Sequence, residues 1–493
     1  MYGQTIMMPN PIILAAINAR YSHTAFGLRS IWANLGVLRA RTRIREFHIR
    51  QKPDEIGDAL LSEAPVLIGL GVYVWNVDIA AQVAEHLKTR CPETVLVLGG
   101  PEISYEYEDT ALFALCDYLV RGEGEEVFPQ LVQRVLAGDA PAEKVLDASP
   151  ADPARLSLPY EAYTGEDIAH RLIYAETSRG CPFRCEFCLS SLERGVREFP
   201  LGPWFKAVEQ LLERGVRQIK LVDRTFNLSQ DRVDAVLGFF RTHWRERMRL
   251  HLEILPDRLT QRTLEHMAAF PQGGLHLEVG VQTFSPEVQA AISRRQDLEA
   301  TERNLRFLRW HTGAILHADL VAGLPMETWD SFAQGFDRLA ALAPHKIQVG
   351  ILKRLKGAPI VRYEREGRLM FSQSPPYEVL STDLLPVKAL QRLKRFARYF
   401  DLFQNSGNFP RSMPLLWQTS SSRFDAFMGL SEHIWQDTQR THRFPLSELM
   451  ERLYRYLIAP PLDFKAVPYS EAAAAIRADY YRLPGRKDRL DLP

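Results

Sequence analysis

The sequence predicts an α/β protein with three parts: an N-terminal doubly wound domain, a partial (βα)6 barrel, and a mainly helical C-terminal domain. Three observations carry this. Apolar runs alternate with amphipathic stretches through the first 350 or so residues, the pattern of parallel strands joined by helices. Glycine-rich turns close several of these runs, as at the carboxyl ends of strands in doubly wound sheets. From about Ser372 strands give out, and Arg- and aromatic-rich segments punctuated by proline take over. A length of 493 residues accommodates about three domains. The expected bounds are 1–140, a linker at 141–168 rich in Ala, Pro and Asp, 169–371, and 372–493.

In the first domain, Pro11–Ile17 is a continuous apolar run, as a strand covered on both faces requires. Gly27–Leu38 reads as a helix. Val66–Val74 is the next strand and Val77–Leu87 the next helix. Thr94–Leu98 runs into Gly99-Gly100-Pro101, and Tyr118–Val120 runs into Arg121-Gly-Glu-Gly-Glu125. A helix follows from Glu126 to about Leu136. The second series has strands at Leu172–Thr177, Gln218–Val222, Leu250–Leu255, Leu275–Val281, Ile315–Val321 and Lys346–Leu352. Helices such as Trp204–Arg214 and Glu299–His311 lie between them. Six βα units with no seventh or eighth give a partial barrel, because each crossover returns with the same hand.

Lys+Arg is 61 and Asp+Glu is 60, a net charge of +1. That balance excludes a polybasic coat or an acidic tail as the dominant feature and weighs against a nucleic-acid partner. The start of the chain lacks a basic leader, and no apolar run is long enough to cross a membrane, so a cytoplasmic location is expected. There are five cysteines, too few and too unevenly spread for a disulfide scaffold.

Three of the five lie in Cys181-Pro-Phe-Arg-Cys185-Glu-Phe-Cys188, directly after a predicted strand. Three thiolates on one loop can hold three irons of a four-iron cluster and leave the fourth open. A zinc site needs a fourth ligand, and paired Cys-x2-Cys knuckles are its commoner form. Cys91 and Cys116 lie far away in the first domain.

The Cys-x3-Cys-x2-Cys spacing after the first strand of a partial βα barrel resembles the radical S-adenosylmethionine (SAM) superfamily. The resemblance implies that Cys181, Cys185 and Cys188 bind a [4Fe-4S] cluster whose open iron chelates SAM and cleaves it to a 5′-deoxyadenosyl radical. It implies that Phe187 contacts adenine, Glu253 the SAM ammonium, Arg294 its carboxylate, and Gln282 and Asp319 its ribose. The chemistry is consistent: an anion for an ammonium, a guanidinium for a carboxylate, polar groups for hydroxyls. One departure stands out. The Gly-Gly-Glu usual after the second strand is replaced by Val222-Asp-Arg-Thr-Phe-Asn227, which leaves Asp223 and Glu253 as competing ammonium partners.

Glycine turns let backbone approach a ligand closely. Beside the cysteine motif, the loops Gly99-Gly100-Pro101-Glu102 and Gly122-Glu123-Gly124 resemble those of the cobalamin-binding radical SAM family, in a subgroup with an uncharacterised C-terminal domain. Tyr73, Trp75 and Asn76, after the second predicted strand, are further candidate cobalamin contacts. In cobalamin mutases the loop after the first strand carries Asp-x-His-x-x-Gly. Here Tyr21 precedes His23 by two and Gly27 follows by four, which departs from that pattern. The resemblance implies cobalamin bound with its own base displaced and no protein histidine beneath it.

Together the two cofactors imply a methyltransferase: one SAM methylates cobalamin, and a second supplies the radical that opens a substrate carbon to the methyl group. Radical rearrangement or cyclisation, RNA modification, and a non-catalytic corrinoid module are the alternatives. A flavodoxin- or ferredoxin-like reductant is expected, with a small-molecule or peptide substrate. The C-terminal aromatics Phe424, Phe427, Trp417, Trp435, Tyr454 and Tyr456 are expected to pack helices against the barrel and close the site. The methylthio-transfer enzymes of tRNA, a related alternative, need a second cysteine triad in the first domain, which Cys91 and Cys116 cannot supply.

Overall fold

The computed structural model describes residues 11–193, 195–482, 490 and 492; the start of the N-terminal segment read above lies outside them. Six strands form the first sheet, all parallel: β1 (Ile12–Asn18), β2 (Thr42–His48), β3 (Leu67–Gly71), β4 (Val95–Gly99), β5 (Tyr118–Arg121) and β6 (Val145–Asp147). Their order is β2-β1-β3-β4-β5-β6. The strand order reverses between β1 and β3, so a crevice opens there at the carboxyl ends. Every residue of β1 is buried, with one core built on each face of the sheet.

Two of these strands exceed the sequence expectation. β2 reads Thr-Arg-Ile-Arg-Glu-Phe-His, and β6 falls in the stretch read as linker. Both are edge strands with one neighbour each, so neither carries the long apolar run that marks a central parallel strand. The stretch also holds a helix, Gly165–His170, started by a Thr164–Asp167 capping box. Asp167 and Glu46 hold the buried Arg29 guanidinium at 3.0 and 2.7 Å. The segment is therefore packed onto the first domain along part of its length.

The second sheet contains β7 (Ile173–Ala175) and, after the hairpin β8 (Ser178–Cys181) and β9 (Gly195–Glu198), β10 (Gln218–Leu221), β11 (Arg249–Ile254), β12 (Leu275–Gln282), β13 (Ile315–Ala322) and β14 (Lys346–Ile351). β7 and β10 to β14 pair in parallel and in sequence order, the six-strand partial barrel expected. Burial alternates strictly on β12 and β13. Leu275, Leu277, Val279 and Val281 pack outward on the helices. The alternate residues His276, Glu278, Gly280 and Gln282 face a polar lumen.

A short hairpin, β15 (Leu369–Phe371) and β16 (Val379–Thr382), leads into the C-terminal helices. Their apolar side chains belong to the same core as the barrel. Phe336, on barrel helix Trp329–Ala341, meets Phe396, Phe400 and Phe424 edge-on with centroids 5.0–5.9 Å apart. Asn405 donates to and accepts from the backbone of Ile347 (2.8 and 3.1 Å). The C-terminal helices therefore cover the outer layer and the free edge of β14. The first of these helices also reaches the carboxyl end of β13, where a Cβ at Gly323 would meet Leu390 at 3.2 Å, while the α/β domain faces the cysteine hairpin across a shared cavity.

Candidate functional site

The cysteine loop is built on the β8–β9 hairpin, where Cys181 pairs with Gly195. Gly180 has φ +82°, and a Cβ there would lie 2.4 Å from the Gly195 carbonyl oxygen, so only glycine fits. Cys188 N–H donates to the Cys185 carbonyl at 3.1 Å, folding the second half of the loop back on itself. All three thiols are free. Burial pushes the Cys181 and Cys185 thiols up, and the neighbouring sulfurs add to it. Arg294 Nη1 lies 3.7 Å from Cys185 Sγ. Among the described residues no three His, Cys, Asp or Glu side chains are arranged for a single metal ion. A four-iron cluster takes one iron per thiolate, so its sulfurs need not converge on a point. The donor set, three thiolates on a fixed loop beside a guanidinium, fits that cluster.

The structure brings Gln282 and Arg294 together. A bulge between Gly280 and Gln282, with φ +71° at Gln282, turns this side chain back over Gly280. A Cβ at Gly280 would sit 2.7 Å from Gln282 Nε2 and 3.6 Å from Arg294 Nη2. Arg294 also donates to the Gly280 carbonyl. Phe187 packs half-buried against the barrel core.

Asp223 and Glu253 separate cleanly. Asp223 is buried and accepts from Thr177 N–H (2.9 Å), Thr177 Oγ1 (2.5 Å) and Ser178 Oγ (2.7 Å). Burial still raises its pKa against those three hydrogen bonds. Glu253 lies in the lumen, with Arg224 at 3.7 Å and Lys220 at 3.8 Å. Burial also pushes Asp319 up to about 7, helped by the charges of Glu278 and Glu253.

Sequence reasoning missed the layer below. Burial alone would raise the Glu278 carboxyl, but His251 at 2.9 Å and Lys220 at 2.8 Å hold it down at about 2. The rings of His251, His276 and His317 stand 6.1–6.3 Å apart. The period-2 signal was present in Leu275-His-Leu-Glu-Val-Gly280, but it takes the barrel to show that the polar face looks inward.

A cavity of about 470 Å³ joins the two domains. Tyr73, Gly99, Gly100, Pro101, Gly122, Glu123 and Gly124 line one side, at the carboxyl edge of the first sheet, and Ser178–Gly180, Leu189, Ser190 and Arg224 line the other. It continues as an apolar slot between sheet and helices, past Leu14, Leu28 and Phe128. At Gly69 a Cβ would meet the Phe128 ring at 2.9 Å. A broad opening above a deep apolar slot fits a planar macrocycle with an extended tail.

Three sequence candidates lie outside this lining. Trp75 stacks on Tyr73 at 4.4 Å and donates to the Ile17 carbonyl at 3.3 Å. Asn76 is a buried staple: its amide donates to Ile17 and Gly71 carbonyls and accepts from Tyr73 N–H. Glu102 accepts from Tyr377 Oη at 2.6 Å, with Lys356 at 3.4 Å, linking the domain to the segment after β14. His23 is also outside the lining; its Nδ1 shares a 2.5 Å hydrogen bond with Tyr174 Oη.

The B12 binding domain family matches residues 12–132, the radical SAM superfamily residues 175–339, and a protein family of unknown function, DUF4080, residues 366–491. Among curated relatives, a tRNA-2-methylthio-N(6)-dimethylallyladenosine synthase of Chlorobium limicola is 27% identical over 62% of this chain and 67% of its own. A 2-(S-pantetheinyl)-carbapenam-3-carboxylate methyltransferase of Streptantibioticus cattleyicolor is 26% identical over 60% of this chain and 48% of its own. The matches thus span from about half to two thirds of these relatives. The structure of the radical SAM methyltransferase TsrM from Kitasatospora setae, with cobalamin and a [4Fe-4S] cluster bound, superposes with a TM-score of 0.61 at 16% identity, covering 97% of this chain and 100% of that one. No helix among the described residues is long and apolar enough to cross a membrane.

Proposed function

This chain belongs to the cobalamin-binding radical SAM proteins that carry a C-terminal domain of unknown function, and we propose that within them it is a methyltransferase acting on a carbon centre of a small molecule or peptide. It is a radical SAM enzyme using a [4Fe-4S] cluster, SAM and cobalamin. When bound, the cluster supplies the electron that cleaves SAM to methionine and a 5′-deoxyadenosyl radical, and the corrinoid carries a methyl group.

One observation carries the reading: the cavity at the first sheet's carboxyl edge is walled on its other side by Ser178–Gly180 and Leu189–Ser190, the residues that flank the three cysteines, so the two sites adjoin. Cys181, Cys185 and Cys188 would hold the cluster. Glu253, rather than the consumed carboxylate of Asp223, would take the SAM ammonium. Arg294 and Gln282, gathered over Gly280, would orient the SAM carboxylate and ribose, with Asp319 beside them. The glycine turns at Gly99–Gly100 and Gly122–Gly124 would let the corrinoid approach the backbone, and the α/β domain over the barrel mouth would exclude water. The methylthio-transfer chemistry named for the Chlorobium relative is not favoured. Cys91 and Cys116 follow helices that return to the amino-terminal edge of the sheet, opposite the cavity.

The test is anaerobic reconstitution followed by SAM and dithionite. Expected are about four irons per chain, a corrinoid absorption spectrum, 5′-deoxyadenosine, S-adenosylhomocysteine, and transfer of a deuterated methyl group from SAM to the corrinoid. A fully loaded protein that forms neither SAM product would overturn the assignment.

A further inference from the structure

Charged side chains that line the shared cavity are almost all spoken for by one network, and it bridges the two domains. Arg179, two residues before the first cluster cysteine, has a side chain only 12% exposed. Its Nε and Nη2 donate to Glu176 (3.1 and 2.7 Å), Nη2 also to Glu125 (2.7 Å) and Ser30 Oγ (3.2 Å), and Nη1 lies 3.2 Å from Glu123. Across the hairpin, Arg197 on β9 donates to Glu123 from Nη1 and Nη2, at 3.0 and 2.5 Å. Arg179 and Arg197 are register partners in the β8–β9 ladder. Glu123 and Glu125 both belong to the Arg-Gly-Glu-Gly-Glu turn, and Ser30 comes from the helix after β1.

We propose that Arg179 and Arg197 form a two-point clamp that registers the cysteine hairpin against the Gly122–Glu125 turn and so sets the separation between cluster loop and corrinoid cavity. Arg179 and Arg197 are positioning residues: they act through the hairpin that carries Cys181. Two forked guanidiniums on one hairpin fix both distance and rotation, whereas a single ion pair would leave a hinge. The glutamates of the turn therefore serve the domain interface, which explains why their carboxylates face arginines across the cavity wall. The role in catalysis rests on the proposed function; the clamp itself does not.

The test uses the full chain with Arg179→Lys, which keeps charge but loses the fork, and the triple variant R179Q/E125Q/E176Q, which removes the guanidinium together with two of its carboxylates, in case the single change impairs folding. In the cofactor-free chain, hydrogen exchange at residues 178–198 and 122–126 should rise at least tenfold in both variants. In the reconstituted protein, iron content should stay at the parental level, and the readouts that follow are compared per bound corrinoid. The magnetic coupling between reduced cluster and cob(II)alamin should change. Methyl transfer from SAM to the corrinoid should fall about tenfold to a hundredfold, as an ångström of misplacement costs, while 5′-deoxyadenosine formation stays within about threefold. Unchanged exchange and unchanged coupling in both variants would overturn the clamp. Failure of the parent to take up corrinoid would instead strike the proposed function and leave the exchange result standing.

Discussion

Asp223 offers the sharpest test of how the site is supported, because a carboxylate at a suggestive sequence position is used for structure. Asp223→Ala removes the acceptor of three hydrogen bonds inside a buried site. Hydrogen bonds to a charged acceptor contribute about 1.5–3 kcal/mol each. Two of the three donors are hydroxyls that can rotate toward other acceptors. The third, Thr177 N–H, is fixed in the backbone and is left unpaired at about 1–3 kcal/mol. Loss of the carboxyl also removes its own desolvation cost, which offsets part of the total. A net loss of about 3 kcal/mol is expected, which in the unit of roughly 300 residues that barrel and C-terminal helices form lowers the melting temperature by about 4–6 °C. The assay is calorimetry of the reconstituted protein, with SAM affinity measured alongside. Glu253→Gln should give the opposite result: an unchanged melting temperature and SAM binding weakened about tenfold, the loss of one charge-assisted contact. If Asp223→Ala melts with the parent, or loses SAM affinity at full stability, the structural role given to Asp223 is refuted.

Three further outcomes follow from the same geometry. Replacing Cys181, Cys185 or Cys188 by Ala should reduce iron from about four per chain to near zero, while Cys91→Ser and Cys116→Ala keep it; iron analysis decides. Gly27 lines the cavity and a Cβ there would meet nothing closer than Tyr73 Oη at 3.8 Å. Gly27→Leu should therefore fold normally but take up less corrinoid, read from its absorption spectrum; full uptake would exclude the cavity as the binding site. Burial holds His276 and His317 down at about 4, with nearby cations adding to it. The unfolded chain thus binds their protons first, and these two rings withdraw stability as pH drops from about 6.5 to 4. Asp319, raised to about 7, acts in the opposite sense over this range, as do Glu176 at about 7 and Glu327 at about 8. Relative to the parent, the melting temperature of His276→Gln should therefore hold up better on acidification, and that of Asp319→Asn should fall more.

Much of the architecture is legible in the chain. All six barrel strands announce themselves as apolar or alternating runs, because each must pack one face on helices. The edge strands β2 and β6 do not, because an edge needs less burial. The packing of the C-terminal aromatics is also readable, as Phe424, Phe427, Tyr454 and Tyr456 are fully buried. Their place on the outer layer and the β14 edge is not, since amphipathicity says that a helix packs and not on what.

The site divides along the same line. The sequence alone determined the groups on offer: three clustered thiols of the kind that bind iron, and glycine turns that let backbone approach a ligand. Local spacing suffices there, because one loop or one turn supplies every group. Only the tertiary structure decided which carboxylate is free. Asp223 and Glu253 look alike along the chain, but one is saturated by Thr177 and Ser178 and the other opens to the lumen. Likewise the sequence offers Glu123 as a cofactor contact, and only the fold shows that Arg179 and Arg197, from far along the chain, also bind it. A carboxylate's role depends on which charges and donors the fold brings within hydrogen-bonding distance, and those partners come from distant parts of the chain.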